Sequence, residues 1–259
     1  MTATGIGKFD LGGRLAIVTG ASRGIGQAVA VGLADAGADI VAIARSASGL
    51  SKTRAQVEAL GRRCRIHEAD LRDLARIEEV FAEIAANGPV PEILVNNAGV
   101  EDVRPSREVS EALWDKIVDT NLKSAFFVAQ GFAKPLLDEG RRGSIINLGS
   151  LTSAVGVPTA VPYTSSKSGI LGMTRALSSE WSPSGIRVNA IGPGYFRTGL
   201  TEAFYRDDDW QARMLEKIPM GRFGDLDDLV GVCVFLAGDA SAYLTGQIIY
   251  VDGGYLASI

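Results

Sequence analysis

Histidine and cysteine are scarce in this sequence, and their scarcity excludes whole classes of site. The 259 residues contain one histidine and two cysteines. Cys64 and Cys233 show no metal-ligand spacing and are too few for a disulfide framework, so we expect buried free thiols. With His67 as the only imidazole, a two-histidine zinc site is impossible, and any other general acid must be a carboxylate, a lysine or a tyrosine. We therefore expect no metal site.

Long apolar runs and an excess of positive charge are also missing. No stretch approaches the roughly 18 apolar residues that span a bilayer, and residues 1–10 lack the features of a secretory signal peptide. The formal net charge is −4, with Lys and Arg scattered along the chain, which argues against binding to nucleic acid or to a membrane surface. We expect a cytoplasmic protein whose ligands are small molecules.

Hydrophobic periodicity predicts the fold class. Short apolar runs alternate with longer amphipathic ones, which is the pattern of repeated βαβ units on a parallel sheet. No linker or change in composition divides the chain, so we expect a single doubly wound, Rossmann-like α/β domain over residues 1–259, with helices on both faces of the sheet. The seven predicted strands cover residues 14–19, 39–44, 64–68, 93–96, 144–148, 187–191 and 247–251.

A glycine-rich turn, TGASRGIG at 19–26, follows the first predicted strand. Its glycines permit a tight turn, and the N-terminus of the following helix offers free N–H groups to a pyrophosphate. The glycine spacing differs from the GxGxxG dinucleotide fingerprint, and by itself the segment fits a purely structural turn equally well. The residues assigned here to cofactor binding are Gly20, Ser22, Arg23, Gly24, Ile25 and Gly26.

The end of the second strand indicates which dinucleotide binds. An acidic residue at this position would hold the ribose hydroxyls of NAD, but the strand ends in Ala44-Arg45-Ser46. Arg45, together with Arg23, suits the ribose 2′-phosphate of NADP through charge-assisted contacts. NADP is therefore preferred and NAD is possible. The alternative is that both arginines are solvated surface charges.

Three further strand ends place polar or small residues in the same predicted crevice. The Asp70 carboxylate, followed by Leu71, could accept a hydrogen bond from the adenine amino group. Asn97-Ala98-Gly99 could pack along the cofactor, and Pro193-Gly194 could wall the nicotinamide. Each of these, taken alone, also fits an ordinary cap or turn.

Ser150, Tyr163 and Lys167 carry the predicted chemistry. Tyr163 and Lys167 are four residues apart and share one face of a predicted helix, and Ser150 follows the fifth strand. A tyrosine with a pKa near 10 loses its proton poorly at neutral pH. An adjacent ammonium group and an oxidised nicotinamide would lower that pKa, at a cost of roughly 4 kcal/mol that a partly dry cleft can supply. The alternative is a chance pair on the surface.

Together these motifs resemble the short-chain dehydrogenase/reductase family over residues 13–254. The motifs that follow the family's order are TGASRGIG, Asp70, NNAG at 96–99, Asn121, Ser150, Tyr163 with Lys167, Asn189 before Pro193-Gly194, and VDGG at 251–254.

The resemblance implies a role for each candidate residue. Tyr163 would be the acid/base, Ser150 the hydrogen-bonding partner of the substrate oxygen, and Lys167 a ribose-hydroxyl ligand that also lowers the tyrosine pKa. Asn121 would hold a water in a proton relay through Lys167. Thr198 would reach the nicotinamide carboxamide.

The resemblance also implies an activity, NAD(P)-dependent interconversion of a secondary alcohol and a ketone (EC 1.1.1.-). The motifs look most similar to those of sugar-acid dehydrogenases acting on gluconate or deoxy-keto-gluconates, so a sugar acid or a polyol is the expected substrate. A 3-oxoacyl-thioester reductase shares most of the motifs and is one alternative. A non-catalytic dinucleotide-binding regulator is another, disfavoured because the catalytic residues are intact. The family is usually tetrameric, and residues 247–254 resemble its association surface, so a homotetramer is expected.

Substrate selection is expected from residues 101–104, 153–159 and 199–217, the last as a lid over the site. Tyr205 and Trp210 accompany three consecutive aspartates at 207–209 in the lid segment. A surface helix with a solvated acidic turn fits that segment equally well. Arg104 or Arg206 could bind a substrate carboxylate.

Overall fold

A seven-stranded parallel sheet with the order β3-β2-β1-β4-β5-β6-β7 organises the computed structural model, which describes residues 4–199 and 204–259. Every predicted strand is present, with boundaries within two residues of those expected, and the doubly wound class is confirmed. The strands are β1 (Leu15–Thr19), β2 (Asp39–Ala44), β3 (Cys64–Glu68), β4 (Ile93–Asn96), β5 (Gly143–Leu148), β6 (Ile186–Pro193) and β7 (Ile248–Val251).

Helices cover both faces of the sheet. Helices α1, α2 and α8 pack on one face and α3, α5 and α6 on the other. No helix in residues 4–199 and 204–259 is long and apolar enough to cross a membrane. The α-helices of these residues are α1 (Gly24–Asp35), α2 (Ala47–Ala59), α3 (Leu74–Ala86), α4 (Glu111–Val118), α5 (Ser124–Asp138), α6 (Val161–Trp181), α7 (Asp208–Leu215) and α8 (Asp227–Ala237).

Strand β1 shows why the strands read as continuous apolar runs. Successive side chains of a strand point to opposite faces, and in β1 both faces are covered. Ala16 and Val18 pack in the core beneath α1 and α8, whereas Leu15 and Ile17 pack in the core beneath α3 and α5. A strand buried on both faces cannot alternate polar and apolar residues, and this is the signal by which the sequence predicts it.

The crevice for ligands opens between β1 and β4, where the direction of strand order reverses. The Thr19 hydroxyl joins the two strand ends. It accepts hydrogen bonds from the backbone N–H groups of Asn97 and Ala98, both at 3.0 Å, and donates to the carbonyl oxygen of Val95 at 3.3 Å. The segments that follow β1 and β4 therefore start from a fixed junction.

Buried amides set the position of α6 against the sheet. The Asn147 side chain in β5 donates to Thr174 Oγ1 in α6 at 2.9 Å and accepts from Asn96 Nδ2 in β4 at 3.1 Å. All three residues are buried. Because a buried polar group is costly when unpaired, this chain of hydrogen bonds fixes the register of α6, the helix that carries Tyr163 and Lys167.

The cysteines and the histidine take structural positions. Cys64 and Cys233 are buried and free, and burial raises the pKa of the Cys64 thiol to about 11. His67 in β3 lies 2.8 Å from Glu83 Oε2 in α3, measured from Nδ1. That partner ties the only imidazole to a helix and leaves acid/base chemistry to other residue types.

Candidate active site

Two adjoining cavities occupy the crevice at the carboxyl edge of the sheet. The first has a volume of about 460 Å³ and the second a volume of about 240 Å³. Ile25, Asn97, Gly99 and Thr198 line both. The two cavities therefore form one continuous site, large at the end near β2 and β3 and smaller at the end near β5 and β6.

The glycine-rich turn fits a dinucleotide by its shape. Gly20 and Gly24 have positive φ angles of 66° and 56°, which favour glycine. A Cβ on Gly26 would lie 2.3 Å from the carbonyl oxygen of Gly20 and 2.4 Å from Asn97 Nδ2. The turn is thus pressed against the segment after β4, while the first residues of α1 line the first cavity, where helix N–H groups favour a phosphate.

The far end of the first cavity carries positive charge. Arg23, Arg45 and Arg72 all line it, and Arg23 and Arg45 are exposed. Three guanidinium groups around one opening suit a phosphate group better than a pair of neutral ribose hydroxyls.

Asp70 already has a partner in this cavity. Its carboxylate accepts hydrogen bonds from Arg72 Nε at 3.0 Å and Arg72 Nη2 at 2.5 Å. The Arg72 hydrogen bonds, together with the charge of Arg45, hold the pKa of Asp70 below its usual value. Sequence reasoning missed Arg72, although it follows Asp70 by two residues, and a bond from adenine to Asp70 would compete with it.

Ser150, Tyr163 and Lys167 meet in the second cavity. Lys167 Nζ donates to the carbonyl oxygen of Leu148 at 2.6 Å and lies 5.7 Å from the centre of the Tyr163 ring. The Ser150 hydroxyl accepts from the backbone N–H of Thr152 at 3.2 Å. The spacing in the sequence thus becomes a cluster of three polar groups on one wall.

Ser153 connects the two elements that carry this cluster. Its hydroxyl accepts from the backbone N–H of Ser150 at 3.2 Å and donates to the carbonyl oxygen of Lys167 at 2.8 Å. The loop after β5 therefore folds back onto α6, which brings Ser150 near Tyr163 although the two are 13 positions apart in the sequence.

Burial sets the pKa values of the cluster. Burial and the nearby Glu101 carboxyl raise the pKa of Tyr163, and the neighbouring Ser150 hydroxyl lowers it in part. Burial lowers the pKa of Lys167 to about 8, and Glu101 acts against that change. We expected Lys167 to lower the pKa of Tyr163, but with the protein residues alone that pKa is raised. The phenol keeps its proton at neutral pH, as a donor to a carbonyl oxygen requires.

Asn121 lies behind the cavities rather than in their walls. It belongs to a π-helical turn, Asp119–Lys123, between α4 and α5. Its side chain accepts from the backbone N–H of Val100 at 2.8 Å, and donates to the Val100 carbonyl at 2.9 Å and to Ser166 Oγ at 3.2 Å. The amide therefore fixes the loop after β4 against α6, and its side-chain groups are engaged there.

All the other residues assigned from the sequence line this site. In the first cavity they are Gly20, Ser22, Arg23, Gly24, Ile25, Gly26, Arg45, Asp70, Leu71, Asn97, Ala98, Gly99 and Thr198. In the second they are Ser150, Tyr163, Lys167, Pro193 and Gly194.

The three predicted substrate segments contribute unequally to the second cavity. Glu101 and Val103 line it, as do residues 157–159, Tyr205 and Trp210. Arg104 is absent from the described lining and forms an ion pair with Asp102 at 2.9 Å; Arg206 is absent from it as well. Residues 200–203 of the expected lid lie outside the described residues.

An aromatic cluster around Tyr195, Tyr205 and Trp210, which line the second cavity, was not predicted as a group from the sequence. Trp210 lies edge-on to Tyr195 at 5.6 Å and to Tyr205 at 5.4 Å, and Tyr255 lies edge-on to Tyr195 at 5.3 Å, measured between ring centres. Phe223 supports Tyr205 from behind at 4.8 Å. Tyr205 and Trp210 are five residues apart, but Tyr195, Phe223 and Tyr255 come from other parts of the chain, so no local pattern identifies all five as a group.

Comparison with known proteins identifies the relatives of this chain. A family model described as enoyl-(acyl carrier protein) reductase matches residues 20–256. The 2-dehydro-3-deoxy-D-gluconate 5-dehydrogenase of Escherichia coli (strain K12) is 43% identical over 97% of this chain and 99% of its own. A 3-oxoacyl-[acyl-carrier-protein] reductase of Staphylococcus epidermidis is 36% identical over 92% of this chain and 97% of its own.

Solved structures show the same fold over almost the whole chain. A candidate short-chain alcohol dehydrogenase from Sinorhizobium meliloti 1021 superposes with a TM-score of 0.94 at 58% identity, covering 97% of this chain and 99% of that one. A gluconate 5-dehydrogenase from Burkholderia cenocepacia J2315, in complex with NADP and tartrate, gives a TM-score of 0.94 at 34% identity, with 97% and 98% covered.

The packing of Gly26 yields a test of the first cavity. We expect Gly26→Ala to weaken binding of a reduced pyridine dinucleotide by more than about tenfold, because the added methyl group displaces the turn. Titration by fluorescence measures the affinity. Gly231→Ala is the matched control, since a Cβ there meets no atom within 4 Å and alanine favours a helix by up to about 1 kcal/mol. Equal affinities for both variants would contradict the assignment.

Proposed function

The chain belongs to the short-chain dehydrogenase/reductase family, and on that premise we propose that it interconverts a secondary alcohol and a ketone on a small polar substrate, a sugar acid or a polyol. One observation carries the proposal. Tyr163, Lys167 and Ser150 converge in a cavity continuous with a larger one that is lined by the glycine turn. The sugar-acid dehydrogenase relatives support the substrate class.

NADP is the proposed cofactor, and NAD remains a second possibility. The three arginines at the far end of the first cavity support NADP, as does the NADP bound in the Burkholderia relative. When bound, the nicotinamide would supply or accept the hydride. We assign the pyrophosphate to the turn at Gly20–Gly26, the 2′-phosphate to Arg23 and Arg45, and the nicotinamide carboxamide to Thr198.

The chain's own residues would handle the proton. In the reductive direction, Tyr163 donates its phenolic proton to the carbonyl oxygen while Ser150 holds that oxygen with a hydrogen bond. Lys167 would bind the ribose hydroxyls. We assign the Asn121 side-chain amide to positioning, because it is engaged with Val100 and Ser166, so a relay water between Asn121 and Lys167 would have to be held by the Asn121 backbone.

The alternatives have less support. The 3-oxoacyl-[acyl-carrier-protein] reductase relatives are less similar than the sugar-acid dehydrogenase of E. coli. A non-catalytic dinucleotide-binding regulator would have no need of a half-buried tyrosine and a buried lysine in one cavity.

Residues 1–259 are proposed to act as one catalytic domain, with 199–217 as a lid. Tyr205 and Trp210 in the second cavity support the lid.

A cytoplasmic homotetramer is proposed from the family resemblance, with residues 247–254 at its association surface. Light scattering should give four times the chain mass of 27.3 kDa, and a monomer would contradict the assembly.

Replacement of the proton donor tests the chemistry. We expect Tyr163→Phe to lower kcat/KM by about 10³-fold, within the range that general acid/base groups supply, with the cofactor Kd changed less than about threefold. Steady-state rates at the reduced-cofactor absorbance measure the loss. Tyr243→Phe is the control, because that tyrosine is fully exposed and absent from the described lining of both cavities. Retained turnover in Tyr163→Phe would refute the assignment.

Cofactor choice is tested at Arg45. We expect Arg45→Ala to weaken NADPH binding by about tenfold to a hundredfold, the effect of losing a charge-assisted hydrogen bond, and NADH binding by less than about threefold. Arg62→Ala removes the same charge from an exposed site at the opposite edge of the sheet and should leave both affinities unchanged. Equal losses for NADPH and NADH in Arg45→Ala would show that Arg45 does not meet the 2′-phosphate.

A further inference from the structure

Glu101 places a carboxyl group in the substrate end of the site. Among the described residues that line the second cavity, it is the only acidic one. We propose that Glu101 accepts hydrogen bonds from substrate hydroxyls and makes the site selective for an uncharged polyol over a sugar acid. This inference rests on the proposed function and decides between its two substrate classes.

The position of Glu101 is that of a group facing the substrate. It shares the second cavity with Tyr163 and Lys167, and its charge acts on both of them. Within the described residues it forms no hydrogen bond or ion pair, and it is only partly exposed. Its oxygens are therefore available to a ligand. Burial raises the pKa of Glu101 and the charge of Lys167 acts against that rise, and a hydrogen bond made in such a partly buried position is stronger than one made in water.

The backbone holds this carboxyl group in place. Val100, the preceding residue, is fixed by two hydrogen bonds with the Asn121 side chain, one at its N–H (2.8 Å) and one at its carbonyl (2.9 Å). Three residues further on, the backbone N–H of Arg104 donates to the carbonyl of Thr159 at 2.8 Å. Because both sides of Glu101 are anchored, the loop cannot swing the charge out of the site without breaking these bonds.

In the part of the second cavity that the structure describes, no arginine is placed to bind a substrate carboxylate. In the described lining of the second cavity the only cation is Lys167, whose ammonium group donates to the Leu148 carbonyl. Arg104, one of the two arginines expected to bind a carboxylate, pairs with Asp102 instead. Residues 200–203 contain no lysine or arginine.

The charge of Glu101 would favour a substrate that carries hydroxyl groups over one that carries a carboxylate. A carboxylate accepts hydrogen bonds well from hydroxyl groups. Two carboxylates held about 6 Å apart in a partly dry site repel by an amount worth about a hundredfold in binding. The two sugar-acid dehydrogenase relatives are named for substrates that carry a carboxylate, so Glu101 predicts that this chain departs from these two.

Matched substrates isolate the charge. We would compare gluconate with glucitol, galactonate with galactitol and xylonate with xylitol, since each pair differs only in a terminal carboxylate or hydroxymethyl group. Initial rates of NADPH formation give kcat/KM for each. We expect the wild-type protein to favour the alditols by about tenfold or more.

The variant Glu101→Gln removes the charge with little change in shape. We expect it to reduce the alditol-to-aldonate ratio of kcat/KM by at least about tenfold, mainly through faster turnover of the aldonates. Glu108→Gln, at an exposed site in the same loop, should keep the wild-type ratio. Titration with NADPH checks that each variant is folded.

The outcomes separate this inference from the proposed function. A wild-type protein that favours the aldonates, or a ratio changed by less than about twofold in Glu101→Gln, would overturn the role of Glu101 while leaving the oxidoreductase activity intact. A wild-type protein that oxidises no member of any pair would overturn the proposed function itself.

Discussion

The junction between the ends of β1 and β4 is the constraint on which the site depends. The Thr19 hydroxyl takes up the N–H groups of Asn97 and Ala98, and the Asn97 side chain in turn donates to the carbonyls of Thr19 and Gly20. With these bonds made, the glycine turn and the loop after β4 lie against each other, and no side chain larger than hydrogen fits at Gly26. The two cavities open on either side of that contact.

Most of the fold and much of the site could be predicted from sequence because their signals are local. Doubly buried strands read as apolar runs, and the groups that follow them meet at one edge of a parallel sheet. The pKa of Tyr163 could not be predicted, since it depends on burial and on Glu101, which folding brings from 62 positions earlier in the chain. The hydrogen bonds from Arg72 to Asp70 were missed for a different reason. A carboxylate beside an expected ligand site can instead bind a neighbouring side chain of the protein, and the sequence does not show which of the two it binds.

Reaction and recognition draw on different parts of the molecule. Tyr163 and Lys167 stand on α6, which a buried chain of amide and hydroxyl hydrogen bonds fixes to β4 and β5. Another part of the cavity wall is formed by Tyr195, Tyr205 and Trp210. Tyr195 follows β6, Tyr205 precedes α7 and Trp210 lies in α7. The proposed proton donor therefore stands on a helix that is hydrogen-bonded to the sheet, whereas the other aromatic residues of the second cavity come from the chain between β6 and β7.

That division has a consequence for how such proteins diversify. A substitution in a connecting segment can leave the helix of the proposed proton donor in place, because α6 is held to β4 and β5 by its own buried hydrogen bonds. Glu101 is an example. Its loop is held in place through the backbone groups of Val100 and Arg104, so a substitution of the Glu101 side chain leaves these hydrogen bonds intact. Single substitutions in these segments can then change substrate specificity while the residues on α6 keep their positions.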